Sequence, residues 1–256
     1  MKKNYNLIEM KEINKHFGTV IALKNVNFNV QSQEIVGLVG DNGAGKSTLI
    51  KILTGVFPAD SGEIYFEGKQ IKLDSPKMAR DLGIETVYQN LALIDLMSIA
   101  RNFFLGREPV RPWAGVIKVL DKPKINSITE EVLKDIGIKV RSVEEEVSVL
   151  SGGERQSVAI GRAIYFGAKL LVLDEPTAAL SIKESHKVLD YVLEAKERGL
   201  SVIFITHNIY HVYSVADRFT ILEHGEKLGD FKKDEVSTED IIEVIRTGRK
   251  IEKERT

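Results

Sequence analysis

The sequence predicts an α/β fold with a largely parallel central sheet, and two observations support this. Apolar runs alternate with helical patterns along the second half of the chain, as helix 153–166, strand 170–173, helix 182–198 and strand 202–205. Such alternation is typical of parallel strands joined by crossover helices. In addition, a glycine-rich loop at 40–48 lies between an apolar run and a helical pattern, where α/β sheets bind their ligands.

The first half of the chain contains the elements that surround this loop. Val26, Phe28 and Val30 alternate with asparagines, which indicates a half-buried strand. The run 34–39 (EIVGLV) predicts a buried strand, and we expect a helix over 45–54. Further elements predicted here are a strand at 63–66, a helix capped by Ser75–Pro76, and a strand at 85–88.

The pattern changes between about residues 98 and 147. Strand signals become rare, and Pro109, Pro112 and Pro123 surround the only tryptophan, Trp113. This segment is predicted to be a mostly helical insertion with an irregular excursion around the prolines.

Composition argues against several classes of protein. The 256 residues include 36 basic and 37 acidic side chains, a balance that disfavours a general nucleic-acid or membrane-surface binder. The absence of cysteine excludes disulfides and thiolate metal sites. No secretory signal is recognised in the first twelve residues, and apolar runs such as 170–173 are too short to cross a bilayer. A role at a membrane would need another chain to span it.

The stretch from Gly40 to Ser47 fits the pattern G-x-x-x-x-G-K-[ST]. In such a loop the backbone N–H groups face phosphate oxygens, Lys46 neutralises the β/γ charge, and the Ser47 hydroxyl can bind Mg²⁺. A chance glycine-rich turn is the alternative. The preceding strand and the following helix favour a phosphate site.

Two carboxylates, Asp174 and Glu175, follow the apolar run 170–173. A buried strand would place Asp174 at the carboxyl edge of the sheet, where it could hold Mg²⁺ through water. Glu175 could then polarise an attacking water. A solvated strand end is the alternative, and the upstream phosphate loop favours the functional interpretation.

Three more residues are candidates whose signal is weak when each is taken alone. His207 follows a strand and could hydrogen-bond a γ-phosphate, or it could be a surface histidine. Gln89 could reach a metal or a water, or be an ordinary surface glutamine. Phe17 could stack on adenine, or fill the core.

A second anion site is predicted at 150–156, which reads LSGGERQ and precedes a helical pattern. Helix N-termini offer free N–H groups and a positive dipole end. Ser151 and Glu154 also fit a capping box. Both interpretations can hold, because the same cap presents the N–H groups.

Taken together, these motifs resemble the ATP-binding subunit of ABC transporters over about residues 8–229. The phosphate loop, Gln89, LSGGERQ, LLVLDEPTAAL and ITHN occur in the family's order. The resemblance implies ATP hydrolysis with ATP and Mg²⁺, and a P-loop NTPase fold of ABC type with an N-terminal antiparallel β subdomain and a helical subdomain insertion. The implied boundaries are a nucleotide-binding core over about 1–89 and 148–245, a helical subdomain over about 90–147, and a charged tail over 246–256.

The resemblance also assigns a role to each candidate residue. It makes Phe17 the adenine-stacking aromatic and Gln89 the glutamine that senses Mg²⁺ and the membrane partner. Asp174 matches the metal carboxylate, which acts with Gln89 and Ser47, while Glu175 matches the catalytic carboxylate and His207 the switch histidine. The implied nucleotide-binding loop consists of Gly40, Asp41, Asn42, Gly43, Ala44, Gly45, Lys46, Ser47 and Thr48.

Members of the family work as head-to-tail pairs, with two ATP molecules between two copies. The resemblance therefore implies that Ser151, Gly152 and Gly153, with Glu154 in the same segment, contact the γ-phosphate held by the second copy. The sequence departs from the family at Ser181, where aspartate is usual. Because Ser181 and Glu184 fit a capping box, Ser181 is also predicted to begin a helix.

Three longer passages, at 39–71, 88–108 and 174–185, look like those of the ATP-binding subunits of bacterial importers of ribose, xylose and fructose type. This branch implies a peripheral location at the cytoplasmic face of the cell membrane, integral membrane permease subunits as partners, and an extracytoplasmic sugar-binding protein as an indirect partner. No nucleic acid is expected. The segment 89–99 is predicted to dock the permease through apolar side chains, namely Leu91, Leu93, Ile94, Leu96 and Met97.

Three alternatives stay open. An ABC ATPase acting on nucleic acid or ribosomes would be expected to carry coiled-coil insertions, zinc-binding cysteines or a basic face. A regulatory module that binds ATP without hydrolysing it would be expected to lack Glu175 or His207. Within transport, an amino-acid or lipid importer is the remaining alternative.

Overall fold

The structure is a computed structural model that describes residues 6–89, 91–113, 117–138 and 140–249. Its strands are β1 (Asn6–Phe17), β2 (Val20–Gln31), β3 (Ile35–Val39), β4 (Ser61–Phe66), β5 (Lys69–Ile71), β6 (Ile84–Val87), β7 (Val110–Trp113), β8 (Ile117–Leu120), β9 (Leu170–Asp174), β10 (Ser201–Ile205), β11 (Arg218–Glu223) and β12 (Glu226–Lys232). Its helices are α1 (Lys46–Leu53), α2 (Pro76–Asp81), α3 (Ile99–Phe104), α4 (Lys122–Asp135), α5 (Gly152–Tyr165), α6 (Ile182–Glu197), α7 (Ile209–Val215) and α8 (Thr238–Thr247), with 3₁₀ turns at Val147–Val149 and Lys233–Glu235.

Two larger sheets divide the strands. The N-terminal sheet is antiparallel, in the order β2-β1-β4-β5. The central sheet has the order β12-β11-β3-β10-β9-β6, in which β6, β9, β10, β3 and β11 run parallel and only β12 is antiparallel to its neighbour. This arrangement confirms the predicted α/β class and the predicted N-terminal antiparallel β subdomain.

The strands of the central sheet could be predicted from the sequence because they are buried. Every residue of β3 and β10 is buried, as are the first four of β9, so these strands appear as continuous apolar runs. β2 instead buries alternate side chains, including Val26, Phe28 and Val30, as predicted for a half-buried strand. Each predicted element of the nucleotide-binding part is present, with bounds that shift by a few residues at most.

The irregular excursion predicted around the prolines is wrong. β7 and β8 form an antiparallel hairpin in which Pro112 lies opposite Lys118 and Trp113 opposite Ile117. A two-stranded sheet consists only of edge strands, so a proline can be accommodated without breaking an interior ladder. The insertion is otherwise helical, as predicted, with α3 and α4 packed together.

A buried charge cluster joins the antiparallel sheet to the central sheet. Arg218 on β11 donates to Glu34 Oε1 at 2.7 Å, to Asp230 Oδ1 at 2.5 Å and to the Asn29 carbonyl on β2 at 2.7 Å. The side chains of Arg218 and Glu34 are each 11% exposed. Buried charges are stable only when paired in this way, and the cluster therefore fixes the position of β2 relative to the strand that leads into the phosphate loop.

Among the described residues, the structure has no helix that is both long enough and apolar enough to cross a bilayer.

Candidate nucleotide-binding site

The phosphate loop follows β3 and has a backbone that favours glycine. Gly40 has φ 147° and Gly45 has φ 101°, in the left-handed region that other residues rarely adopt. A Cβ at position 40 would lie only 2.1 Å from the Leu222 carbonyl oxygen. The loop leads into α1, whose N-cap is Gly45, with no side-chain hydrogen bond to the cap and no acidic residue in the first turn. The N-terminal N–H groups of α1 thus have no side-chain cap, as an anion site requires.

Lys46 is folded back over this loop. Its Nζ donates to the Gly40 carbonyl at 2.7 Å and to the Asp41 carbonyl at 2.9 Å. Burial lowers the pKa of the Lys46 ammonium, and the nearby charges of Glu175, Asp41 and Asp174 oppose that change. Phosphate oxygens would give this buried cation stronger acceptors than two neutral carbonyls.

Glu175 is held by residues that follow the neighbouring strand. It comes directly after β9, with a left-handed backbone at φ 51°. Its Oε1 accepts from the His207 backbone N–H at 3.0 Å and lies 2.7 Å from His207 Nδ1. The Thr206 hydroxyl donates to its Oε2 at 2.9 Å. β9 and β10 run parallel and in register here, so the two strand ends bring Glu175 and His207 together.

Asp174 provides the second carboxylate at the same strand end. Burial raises the pKa of Asp174, the negative charge of Glu175 raises it further, and Lys46 acts in the opposite direction. Two adjacent carboxylates beside a single buried ammonium would be stabilised by a divalent cation.

The donor set suits Mg²⁺ bound together with a nucleotide. Within the described ranges, no three histidine, aspartate or glutamate side chains converge into a protein-only metal cage. Mg²⁺ usually takes one or two carboxylates, with the rest of its shell from water and phosphate oxygens. Ser47, Gln89 and Asp174 line one cleft and could together supply the few protein oxygens that such a site needs.

This cleft has a volume of about 580 Å³ and gathers most of the predicted site residues. The predicted residues that line it are Asn42, Gly43, Ala44, Gly45, Lys46, Ser47, Thr48, Gln89, Asp174, Glu175 and His207. Gly40 and Asp41 contribute their carbonyls to Lys46. The roles of these residues stay predictions, but the structure brings them to one place.

The wall of the cleft next to the phosphate loop was not predicted. Val20, Ile21 and Ala22, at the start of β2, line it, and Val20 and Ile21 are 62% and 53% exposed. Exposed apolar side chains at a strand start carry no distinctive sequence pattern. Phe17 does not line the cleft but is paired with Val20 across the β1–β2 turn, and its ring packs edge-on against Phe57.

The LSGGERQ segment lies outside this cleft, among the residues that the structure describes. Ser151 is the exposed N-cap of α5, and Ser151 and Glu154 form the predicted capping box. Gly153 also donates its backbone N–H to Glu184 Oε1 on α6, at 3.3 Å. Ser181 begins α6 with its own capping box to Glu184, as predicted. The two helix ends predicted to bind anions, those of α1 and α5, thus do not share a cleft within one subunit.

Some side chains of the predicted docking segment pack against the core, and others are exposed. Leu91 packs against the core of the central sheet, and Leu93 against the core of the insertion. Ile94 and Leu96 are exposed, Leu96 by 80%. The buried Asn102 accepts from the Ile94 N–H at 2.8 Å and donates to the Ile94 carbonyl at 2.9 Å, so its side chain satisfies both backbone groups of Ile94.

An ion pair links this segment to LSGGERQ. Arg155 donates to Asp95 Oδ1 at 2.9 Å, to the Leu150 carbonyl at 3.1 Å and to the Ser148 carbonyl at 3.1 Å. Ser148 in turn donates its backbone N–H to the Asp95 carbonyl at 3.1 Å. These bonds connect Asp95 to residues on both sides of the start of α5.

Comparisons with known proteins agree with this fold and with the family resemblance of the sequence. A model of the ABC transporter family matches residues 23–178. The chain is 45% identical to the xylose/arabinose import ATP-binding protein XylG of Sulfolobus acidocaldarius over 94% of both chains. It is 45% identical to the fructose import ATP-binding protein FrcA of Rhizobium meliloti over 84% of both. The dimeric, post-hydrolysis structure of the ATP-binding cassette MJ0796 bound to ADP and Pi superposes with a TM-score of 0.72 at 27% identity, covering 88% of this chain and 98% of that one.

Proposed function

The chain belongs to the ABC transporter family of ATP-hydrolysing proteins, and from this premise we propose that it powers the import of a sugar through a separate membrane permease. The observation that carries the proposal is the single cleft in which Lys46, Asp174, Glu175 and His207 meet. The relatives that match over most of this chain are named as sugar import ATP-binding proteins, which supports a sugar as cargo.

In this proposal the cleft binds ATP with Mg²⁺. The N–H groups at the start of α1 and the Lys46 ammonium hold the phosphates, while Ser47, Asp174 and Gln89 hold the metal. Glu175 accepts a proton from the attacking water, and His207 and Thr206 orient its carboxylate through the hydrogen bonds described above. Val20 and Ile21 provide an apolar surface beside the phosphate loop, with Phe17 next to it.

We propose further that two copies of the chain pair head to tail, with the phosphate loop of each facing Ser151 and Gly153 of the other. Ser151 is exposed and lies outside the cleft of its own subunit, so a second copy can reach its side chain. A related cassette is dimeric in its post-hydrolysis state, which supports pairing.

The permease is proposed to dock on the exposed part of the segment 91–97. Leu96 and Ile94 form the apolar contact, and Asn102 keeps their backbone in place. This position puts the chain on the cytoplasmic face of the membrane. Because the chain has no cysteine, a single Leu96→Cys substitution gives a unique crosslinking site. We expect it to crosslink to the reconstituted permease, whereas Val149→Cys, which is also exposed but lies outside the segment, should not.

The test of the whole proposal is transport-coupled hydrolysis. The chain is reconstituted in vesicles with its native permease and binding protein, and ATP hydrolysis is measured with xylose, arabinose, fructose or an amino acid outside. We expect at least one sugar to stimulate hydrolysis and amino acids to have no effect. Stimulation by amino acids alone would mean that the cargo is an amino acid and not a sugar. A rate of hydrolysis that is the same with and without the permease would contradict a role in import.

A further inference from the structure

The two candidate anion-binding helix ends of this chain differ in their capping. The N-terminus of α1 has no side-chain cap and no acidic residue in its first turn. The N-terminus of α5 has Glu154 in its first turn, and a second carboxylate, Glu184, accepts from its Gly153 N–H. The amide that should meet the second copy's γ-phosphate therefore already holds an anion from its own subunit.

Glu184 belongs to two helix ends at the same time. Its Oε2 accepts from the Ser181 N–H at 3.0 Å and from the Ser181 hydroxyl at 2.7 Å, which caps α6. Its Oε1 accepts from Gly153 at 3.3 Å, a longer and weaker bond, which caps α5. One carboxylate thus joins the LSGGERQ helix to the loop at 176–181, which connects Glu175 to α6.

The two glycines of LSGG make this contact possible. A Cβ at position 153 would lie 3.0 Å from Glu184 Cβ, and a Cβ at position 152 would lie 2.7 Å from Leu180 Cδ2. Both glycines are in ordinary helical backbone, so a larger residue would be disfavoured here by lack of space rather than by conformation, and more so at position 153, where the neighbour is the Cβ of Glu184. The 176–181 loop and the start of α6 therefore contact the N-terminus of α5, which is the helix end that should bind the phosphate.

Glu184 carries its charge over the whole working pH range. The hydrogen bonds from the Ser181 hydroxyl and N–H, followed by that from Gly153, hold the pKa of Glu184 at about 2. An approaching phosphate therefore meets a full negative charge beside the amide that it would use, and like charges at such a distance repel.

We propose that the Glu184 carboxylate is an internal competitor for the Gly153 amide, which it occupies in the single subunit and yields to the γ-phosphate bound by a second copy. The proposal rests on the ATP-dependent pair of the proposed function. When the phosphate arrives, Glu184 keeps its shorter bonds to Ser181 and loses the one to Gly153. The exchange removes a carboxylate bridge between α5 and the start of α6, and so reports the partner's ATP to the 176–181 loop that follows Glu175.

The test compares dimerisation constants in a Glu175→Gln background with saturating MgATP, measured by sedimentation velocity. Glu184→Gln keeps the shape of the side chain and removes its charge. We expect it to tighten the ATP-dependent dimer by about 1.5-fold to fivefold, the range expected for a solvent-screened charge pair, and to leave the protein monomeric in ADP.

The chain offers a matched control in α8. There Asp240 forms the same capping box with Ser237, at 2.8 and 2.7 Å, but it is not part of the LSGGERQ contact. Asp240→Asn removes the same charge and should leave the dimerisation constant unchanged. Equal tightening by both variants would mean that only net charge matters, and would overturn the proposal.

A second variant guards against loss of the α6 cap. Glu184→Asp can still cap Ser181, as Asp240 caps Ser237, but its shorter side chain withdraws from Gly153, so it too should tighten the dimer. An unchanged or weaker dimer with both Glu184 variants would overturn the competitor and make Glu184 a plain helix cap. If the Glu175→Gln parent itself fails to dimerise in MgATP, the paired function fails first, which is a distinguishable result.

Discussion

Glu175 is the residue on which hydrolysis should depend most. It lies at the end of β9, and both of its oxygens are oriented by Thr206 and His207. Glu175→Gln removes the base but keeps the side chain's size, so we expect ATP to bind with normal affinity. Turnover should fall about 10²- to 10⁴-fold, as is usual on loss of a general base. Steady-state phosphate release gives the rate, and a variant with normal turnover would remove Glu175 from this role.

Lys46 should determine binding rather than turnover. Its ammonium is buried against the phosphate loop, and Lys46→Ala removes a charge-assisted bond to the β- and γ-phosphates. Such bonds contribute about 1.5 to 3 kcal/mol, so MgATP affinity should fall about 10- to 100-fold.

Lys51 provides the control for this variant. It lies on the same helix but is exposed, and its Nζ lies over the Phe57 ring. By calorimetry, Lys51→Ala should bind MgATP normally. Equal affinity of Lys46→Ala and the parent chain would contradict a phosphate site at this loop.

The sequence predicted these residues because each one lies in a short motif at a strand end. Lys46, Asp174 and Glu175 follow buried strands, and parallel strands bring their carboxyl ends to one edge. The hydrogen bonds among Glu175, Thr206 and His207 could not be predicted, because they depend on the register between β9 and β10. The apolar wall at Val20 and Ile21 was also missed, since exposure cannot be inferred from two β-branched residues.

At the scale of elements, the pair Asp95–Arg155 joins the docking segment to the start of α5. Asp95→Asn removes this ion pair without a change of size. We expect hydrolysis by the chain alone to be unchanged. The stimulation by the permease should fall about twofold to fivefold, which corresponds to the energy of an exposed ion pair. Asp81→Asn is the control, because it breaks the exposed pair with Lys77 on α2. If the Asp95 variant is stimulated as fully as the control, coupling does not use this pair.

The insertion shows what limits prediction at this scale. A mostly helical segment was expected because strand signals become rare here, and α3 and α4 are present. The β7–β8 hairpin was not predicted. Both of its strands are edge strands, so it accommodates Pro112 and does not need the alternation of apolar and polar residues by which a half-buried strand is recognised. The double contact of Glu184 was also invisible, since the sequence shows only the capping box with Ser181.

At the scale of the whole molecule, the chain has two helix ends that are candidates for phosphate binding. The α1 end lies in the 580 Å³ cleft with Glu175, and the α5 end lies outside it. In the proposed head-to-tail pair, the α5 end of each copy completes the site at the α1 end of the other. ADP lacks the γ-phosphate that the α5 end should bind, and therefore it should not hold the pair together.

The most direct measurement of this central claim is the mass of the Glu175→Gln chain in solution by light scattering, with MgATP and with MgADP. With MgADP we expect the single-chain mass of 28.6 kDa. With MgATP we expect twice that mass, and the added substitution Ser151→Arg should return it to the single-chain value, because the arginine blocks the helix end that faces the partner's phosphate. A chain that binds MgATP by calorimetry yet keeps the single-chain mass, or a dimer that forms equally well with Ser151→Arg, would contradict the paired sites.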